Sequence, residues 1–121
     1  MEKKKILAID DSMAQLNTYQ GILSSNYIFR AAKSASEALS FLNSTQADIV
    51  LLDIEMPNIS GFEFLKDIKR IPSYVRVPVI IISSKSGPDF DNQVKNSDVA
   101  GVLSKPIVPQ QLIEAIEKNL R

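Results

Sequence analysis

The sequence predicts a doubly wound α/β fold, in which one five-stranded parallel sheet lies between two layers of helices. Five short apolar runs alternate with segments of helical periodicity along the 121 residues, the order expected when each helix crosses back over a parallel sheet. The third run, 48–53, is apolar between its two aspartates, which is typical of a strand buried on both faces. A barrel of eight such units needs about twice this length, so the sequence favours an open three-layer sandwich.

Each predicted strand is an apolar run that ends in polar or turn-forming residues. The run after Pro78 is the most apolar and is rich in β-branched side chains, which favour strands. The second run is more polar, which makes it a weaker strand. The predicted strands are 6–9, 27–32, 48–53, 79–82 and 101–104.

Short polar side chains predict where the first three helices begin. Asp11 or Ser12 can cap the first helix, because their side-chain oxygens accept from free backbone N–H groups. Residues 34–37 and 60–63 both have the capping-box pattern, in which a glutamate follows a serine by three positions. We therefore expect side-chain caps at the start of all three helices.

Two prolines and the spacing of apolar residues define the rest of the helical layer. Pro72 ends the third helix, and Pro109 suits the first turn of the last one. The segment 87–98 is the weakest helix, because only Phe90 and Val94 lie at helical spacing. The side chains expected to face the core are Leu16, Tyr19, Ile22, Leu23, Ala38, Leu39, Leu42, Phe62, Leu65, Ile68, Leu112, Ile113, Ile116 and Leu120.

Composition excludes several classes of function. Basic and acidic residues number 14 each, so no net field favours nucleic acid or an anionic membrane. The chain has no Cys and no His, which excludes disulfides, thiolate or imidazole metal ligands and a phosphohistidine of its own. The apolar runs are too short for a membrane span or a signal peptide. We expect a cytoplasmic protein, complete as one domain over residues 1–121.

Polar side chains stand at the end of four strands. Asp10 and Asp11 follow the first strand, Asp53 ends the third, Ser83 the fourth, and Lys105 the fifth. Parallel strands bring their carboxyl ends to one edge of the sheet, where ligands bind in this class of fold. The sequence therefore predicts that these side chains meet in one site.

The residue types in this set suit phosphoryl transfer. Three carboxylates in contact would repel one another, and a hard divalent cation such as Mg²⁺ or Mn²⁺ relieves that repulsion. The cation and Lys105 would hold an anion beside Asp53, while the Ser83 hydroxyl and the N–H groups of the Ser83-Ser84 turn bind its oxygens. Asp53 would then attack phosphorus and become an aspartyl phosphate.

The order and spacing of these residues resemble the receiver domain of two-component response regulators. The resemblance covers essentially the whole chain, and although each motif alone is weak, the set is specific. It implies a flavodoxin-like fold with strand order 2-1-3-4-5. The matching residues are Asp10-Asp11, Asp53-Ile54-Glu55-Met56-Pro57, Gly61, Ser83 and Lys105-Pro106.

The resemblance also implies a role for each residue of the site. Asp53 would accept a phosphoryl group from a histidine kinase or a histidine phosphotransfer protein, and a downstream target protein would recognise the change. Asp11 and Asp53 would bind Mg²⁺ directly, Asp10 through water, and Glu55 through its backbone carbonyl. Lys105 would pair with Asp53 and then with the phosphoryl group. The chain would catalyse only its own phosphorylation and dephosphorylation, so we expect no enzyme activity on another substrate.

The remaining parts of the motif have structural or switching roles in that family. Met56, Pro57 and Gly61 form a turn, and Pro106 often follows a cis peptide bond there. The Ser83 hydroxyl would move to bind the phosphoryl group. The fourth helix, the last strand and the last helix commonly form the output face, so we expect segment 87–98 to become more ordered on phosphorylation.

The sequence departs from the family at a few positions. Val102 replaces an aromatic residue that couples the hydroxyl to the surface, and it is short and stiff, so either the switch works through other contacts or the output is weak. Ser83 replaces the commoner threonine and keeps the hydroxyl. Glu55 and Lys85 lie two positions beyond Asp53 and Ser83. We hypothesise that they pair across the phosphoryl group and control water attack, the alternative being unpaired charges at the rim.

Other functions compete with this one. Taken singly, Asp11 is as well explained as a helix cap, Lys105 as a surface charge and Ser83 as a turn residue. A degenerate receiver would bind partners without phosphorylation. A phosphatase of the haloacid dehalogenase type needs an aspartate where Glu55 stands, and a nucleotide-binding domain needs a glycine-rich loop after the first strand. Phosphorylation by a small phosphodonor distinguishes these alternatives.

Overall fold

Five parallel strands form one central sheet in the computed structural model, which describes residues 2–120. They run in the order β2-β1-β3-β6-β7, which is 2-1-3-4-5 when these five strands are counted alone. This confirms the predicted topology. In chain order the strands are β1 (Lys5–Ile9), β2 (Ile28–Ala32), β3 (Ile49–Asp53), β4 (Glu55–Met56), β5 (Ile59–Ser60), β6 (Val79–Ser83) and β7 (Gly101–Ser104).

Five helices cover the two faces of the sheet. They are α1 (Met13–Leu23), α2 (Ala35–Ser44), α3 (Gly61–Arg70), α4 (Pro88–Lys95) and α5 (Pro109–Asn119), with a 3₁₀ turn at Pro72–Tyr74. As the sparse apolar pattern of 87–98 predicts, α4 is the shortest and buries only Phe90. Within residues 2–120, no helix is long and apolar enough to cross a membrane.

Two separate apolar cores hold the three layers together. Helices α2, α3 and α4 pack on one face of the sheet, while α1 and α5 pack on the other. Alternate residues of β3 enter the two cores: Val50 and Leu52 face the first, Ile49 and Leu51 the second. This double burial explains why the strand is apolar throughout, and it fixes the position of Asp53 at its end.

Serine side chains cap two of the three helices for which a cap was predicted. Ser12 Oγ accepts from Gln15 N–H (3.2 Å) at α1, and Ser34 Oγ accepts from Glu37 N–H (3.1 Å) at α2. The predicted cap by Ser60 is wrong, because its side chain makes no capping hydrogen bond. Ser60 instead pairs with Glu55 in a short antiparallel hairpin, β4–β5, which the sequence analysis missed.

The hairpin connects β3 to α3 in very little space. Its turn is Pro57-Asn58, and Asn58 has a φ of 69°, in the left-handed region that asparagine tolerates better than most residues. Gly61 then passes close to β3: a Cβ placed on it would lie 2.5 Å from Ile54 Cα. Gly61 is therefore required for this close approach of two backbone segments.

Candidate functional site

The predicted polar side chains do meet at the carboxyl edge of the sheet. Asp10, Asp53 and Ser83 are almost completely buried, with 1%, 3% and 1% exposure, and they are the only buried polar or charged residues among residues 2–120. Lys105 follows β7 and reaches across this edge with a side chain that is 18% exposed. Buried charges are costly unless they are paired, so this concentration marks a functional site.

Three carboxylates form an acidic cluster there. One oxygen from each of Asp10, Asp11 and Asp53 lies within 4.8 Å of the others. Asp10 Oδ1 also accepts from Ser12 N–H at 2.9 Å, which fixes its orientation at the start of α1. An all-oxygen, highly anionic donor set of this kind fits Mg²⁺ or Mn²⁺ and is unsuited to softer metals.

Lys105 bridges the two buried carboxylates. Its Nζ lies 3.3 Å from Asp53 Oδ1 and 3.4 Å from Asp10 Oδ2. Burial favours the neutral amine, but attraction to Asp10 and Asp53 outweighs it and raises the pKa of Lys105. The ammonium is therefore a fixed positive charge beside Asp53, as predicted. The peptide bond that follows it, Lys105-Pro106, is cis.

The environment of Asp53 disfavours its charged form. The pKa of Asp53 is raised to about 6, mainly by burial and also by the negative charge of Asp10. A hydrogen bond from Glu55 N–H (3.1 Å) and the charge of Lys105 act in the opposite direction. One lysine thus neutralises only part of the charge of Asp10 and Asp53. A divalent cation would supply the rest and keep Asp53 ionised, which a nucleophile requires.

Tyr19 belongs to the site, although the sequence analysis placed it only in the core. It is buried in α1 and its hydroxyl donates to Asp10 Oδ2 over 3.4 Å. Burial, followed by the charges of Asp10 and Asp53, raises the pKa of Tyr19, so the hydroxyl stays protonated. The sequence does contain a signal for this role, namely a tyrosine on the apolar face of α1. A buried tyrosine hydroxyl usually has a polar partner, and the nearby aspartates are candidates.

Glu55 contacts the serines at the end of β6 and not Lys85. Its Oε1 accepts from Ser83 Oγ (3.1 Å), Ser84 N–H (3.0 Å) and Ser84 Oγ (2.6 Å). These bonds, the one from the Ser84 hydroxyl above all, lower the pKa of Glu55. The hypothesised pair with Lys85 is not formed here, and Glu55 is not an unpaired rim charge either, because the nearer serines hold its carboxylate.

The other predicted residues surround this site. Met56 is buried, Pro57 is exposed in the hairpin turn, and the exposed Lys85 lines an open cleft of about 560 Å³ next to the acidic cluster. Val102 is 38% exposed on β7, the strand at one edge of the sheet. It therefore lies at the surface, away from the buried carboxylates.

Comparison with known families decides what this arrangement is. The family described as response regulator receiver domain matches residues 6–117. The chain belongs to that family. Receiver domains generally bind Mg²⁺ at an acidic pocket, and this chain has an acidic cluster formed by Asp10, Asp11 and Asp53.

Curated relatives show the receiver domain in different contexts. Over 96% of this chain it is 39% identical to a probable cyclic di-GMP phosphodiesterase of Vibrio cholerae serotype O1, but the match spans only 26% of that protein. It is 30% identical to the two-component response regulator ORR5 of Oryza sativa subsp. japonica, covering 88% of it. It is 25% identical to the polar-differentiation response regulator DivK of Brucella ovis, covering 96%.

Solved structures confirm the fold. The chemotaxis protein CheY4 of Vibrio cholerae superposes with a TM-score of 0.92 at 27% identity, with 98% of this chain and 100% of that one covered. A CheY-like receiver domain from Methanospirillum hungatei gives 0.90 at 25% identity, with 98% and 94% covered. This receiver domain therefore has the CheY-like, flavodoxin-like architecture.

Proposed function

We propose that this receiver domain accepts a phosphoryl group on Asp53 from a phosphohistidine of a histidine kinase or a histidine phosphotransfer protein. The observation that carries the proposal is the environment of Asp53. Its buried carboxylate lies 3.3 Å from the Lys105 ammonium and within 4.8 Å of Asp10 and Asp11. Asp10 shares this burial, Lys105 and the acidic cluster, but a backbone N–H and the Tyr19 hydroxyl also hold its two oxygens, which leaves Asp53 as the freer nucleophile.

The transfer is a substitution at phosphorus. An Asp53 carboxylate oxygen forms the new O–P bond while the P–N bond of the phosphohistidine breaks, and the electron pair of that bond returns to the departing nitrogen. If the second ring nitrogen of the donor carries a proton, the imidazole leaves as a neutral molecule. The product is an aspartyl phosphate, and no other reactant is needed.

The residues around Asp53 neutralise and orient the transferred group. Lys105 holds its ammonium beside the reacting oxygen, while Ser83 and Ser84 present hydroxyl and N–H donors to the phosphoryl oxygens. Asp10, Asp11, Asp53 and the Glu55 carbonyl would hold Mg²⁺, which supplies positive charge to the site. Catalysis then consists of positioning and charge neutralisation, and the chain modifies only itself.

Output requires a downstream target protein that distinguishes the two forms. Ser83 ends β6 and is paired with Ser104 of β7, so a shift of Ser83 toward the phosphoryl group acts directly on the edge strand. Val102 is exposed on that strand, and α4, the helix that precedes it in the chain, has a single buried residue. The surface of α4, β7 and α5 is therefore the proposed output face.

A small phosphodonor tests the proposal. Incubation with Mg²⁺ and either acetyl phosphate or phosphoramidate should add the mass of one phosphoryl group to the intact protein. Asp53→Asn should abolish the adduct, while Asp91→Asn, an exposed aspartate of α4, should leave it unchanged. An adduct that persists in Asp53→Asn would overturn the assignment. Exclusive phosphorylation by a histidine kinase, again lost in Asp53→Asn, would still support it.

A further inference from the structure

The donors proposed for the phosphoryl group already bind an anion in this structure. Glu55 Oε1 accepts from Ser83 Oγ, from Ser84 N–H and from Ser84 Oγ, at 3.1, 3.0 and 2.6 Å. Three donors on one carboxylate oxygen are enough to fix a side chain that is otherwise exposed. The end of β6 is therefore an anion-binding turn with an internal ligand.

The hydrogen bonds of Ser83 and Ser84 cannot be shared with a second anion. Ser83 Oγ accepts from Lys85 N–H at 3.0 Å, which orients the hydroxyl so that its single hydrogen points to Glu55. The Ser84 amide likewise has one hydrogen. Each of these hydrogens makes one strong bond at a time, so a phosphoryl oxygen can bind them only after Glu55 has left.

Charge leads to the same conclusion. A carboxylate and a phosphoryl group held by the same donors would repel each other strongly. The open cleft that Glu55 and Lys85 both line offers space for the Glu55 side chain once it leaves the serines.

We propose that Glu55 is an internal ligand of the phosphoryl-binding donors, which leaves Ser83 and Ser84 when Asp53 is phosphorylated and returns when the phosphoryl group is lost. The inference rests on the proposed function of Asp53. It assigns Glu55 a role that differs from control of the attacking water. Glu55 competes with the phosphoryl group and so weakens the phosphorylated state relative to the unphosphorylated one.

Binding of beryllium trifluoride, a phosphoryl mimic, with saturating Mg²⁺ tests this role. Glu55→Ala should bind the mimic about tenfold more tightly than wild type or better, because no internal ligand has to be displaced. Glu55→Gln keeps an oxygen acceptor without the charge and should lie in between. Glu63→Gln, an exposed glutamate of α3, removes the same charge outside these contacts and should stay within about twofold of wild type.

A second readout needs neither metal nor mimic. In wild type the Ser84 amide proton should be shifted downfield by its bond to Glu55 and protected from exchange. Glu55→Ala should move this resonance upfield and speed its exchange. Glu63→Gln should leave the Ser84 resonance in place.

The outcomes separate this proposal from the function on which it rests. If wild type binds the mimic but Glu55→Ala binds it equally or more weakly, Glu55 is a supporting residue and the proposal is wrong. A Ser84 amide unaffected by Glu55→Ala would also overturn it. If wild type and all variants fail both to bind the mimic and to become phosphorylated, the assignment of Asp53 fails, and this proposal with it.

Discussion

The ionised Asp53 carboxylate should lower the folding stability of the metal-free protein. The difference in unfolding free energy between Asp53→Asn and wild type measures this loss. The carboxyl is 3% exposed, and its environment raises the pKa from 3.8 to about 6. Each pH unit of such a rise corresponds to about 1.4 kcal/mol, so the ionised form costs roughly 3 kcal/mol of folding stability. Asparagine resembles the protonated carboxyl in shape and carries no such cost.

The pH dependence follows from the direction of the shift. Between about pH 4 and 6 the folded protein holds a proton on Asp53 that the unfolded chain has released, so stability falls as the pH rises. At pH 7.5 the free energy of unfolding of Asp53→Asn should therefore exceed that of wild type by up to about 3 kcal/mol. This difference should vanish near pH 4. For a domain of this size that is a rise in Tm of roughly 10 °C.

Urea unfolding followed by far-UV circular dichroism in metal-free buffer is a suitable assay, because the chain contains no tryptophan. Asp91→Asn serves as the exposed control and should change stability by less than about 0.5 kcal/mol. Added Mg²⁺ should raise the stability of wild type more than that of Asp53→Asn, which narrows the gap. The reasoning would be refuted if Asp53→Asn were no more stable than wild type at pH 7.5. It would also be refuted if the difference in unfolding free energy between the two proteins grew at acidic pH.

Three further predictions concern the surroundings of the site. Tyr19→Phe removes only the hydroxyl that donates to Asp10. The Mg²⁺ affinity measured by calorimetry should fall a few-fold, and the free energy of unfolding should fall by about 1 kcal/mol. An unchanged Mg²⁺ affinity would exclude a role for Tyr19 in orienting Asp10. Gly61→Ala places a methyl group 2.5 Å from Ile54 Cα and should cost about 2 kcal/mol or more in urea unfolding, whereas an unaffected midpoint would contradict the close approach. Amide exchange in 88–95 should be fast and should slow with Mg²⁺ and beryllium trifluoride; equal exchange in both states would argue against a switch in α4.

The sheet and the main site residues can be predicted from the sequence for a simple physical reason. Four of the five strands of the sheet end at or directly before a site residue, as β3 ends at Asp53. A parallel sheet then brings those ends together without further information. Asp10, Ser83 and Lys105 were predicted at one edge on this basis, and all lie there.

Two features of the site region could not be predicted from the sequence, each for a different reason. The β4–β5 hairpin has strands of two residues, too short for any periodic pattern, and its pairing removes Ser60 from its expected cap. The contact between Glu55 and Ser84 joins residues 29 positions apart. Nothing in the local sequence distinguishes that partner from Lys85, which is one residue further along.

The most direct test of the central claim is to locate the phosphoryl group itself. After reaction with Mg²⁺ and acetyl phosphate, borohydride reduces an acyl phosphate to an alcohol, and peptide mass spectrometry then identifies the reduced residue. We expect the reduced residue at Asp53 alone, and none in protein treated without the phosphodonor. Reduction at Asp10 or Asp11, or an adduct at a serine that borohydride leaves intact, would contradict the assignment of Asp53 as phosphoacceptor.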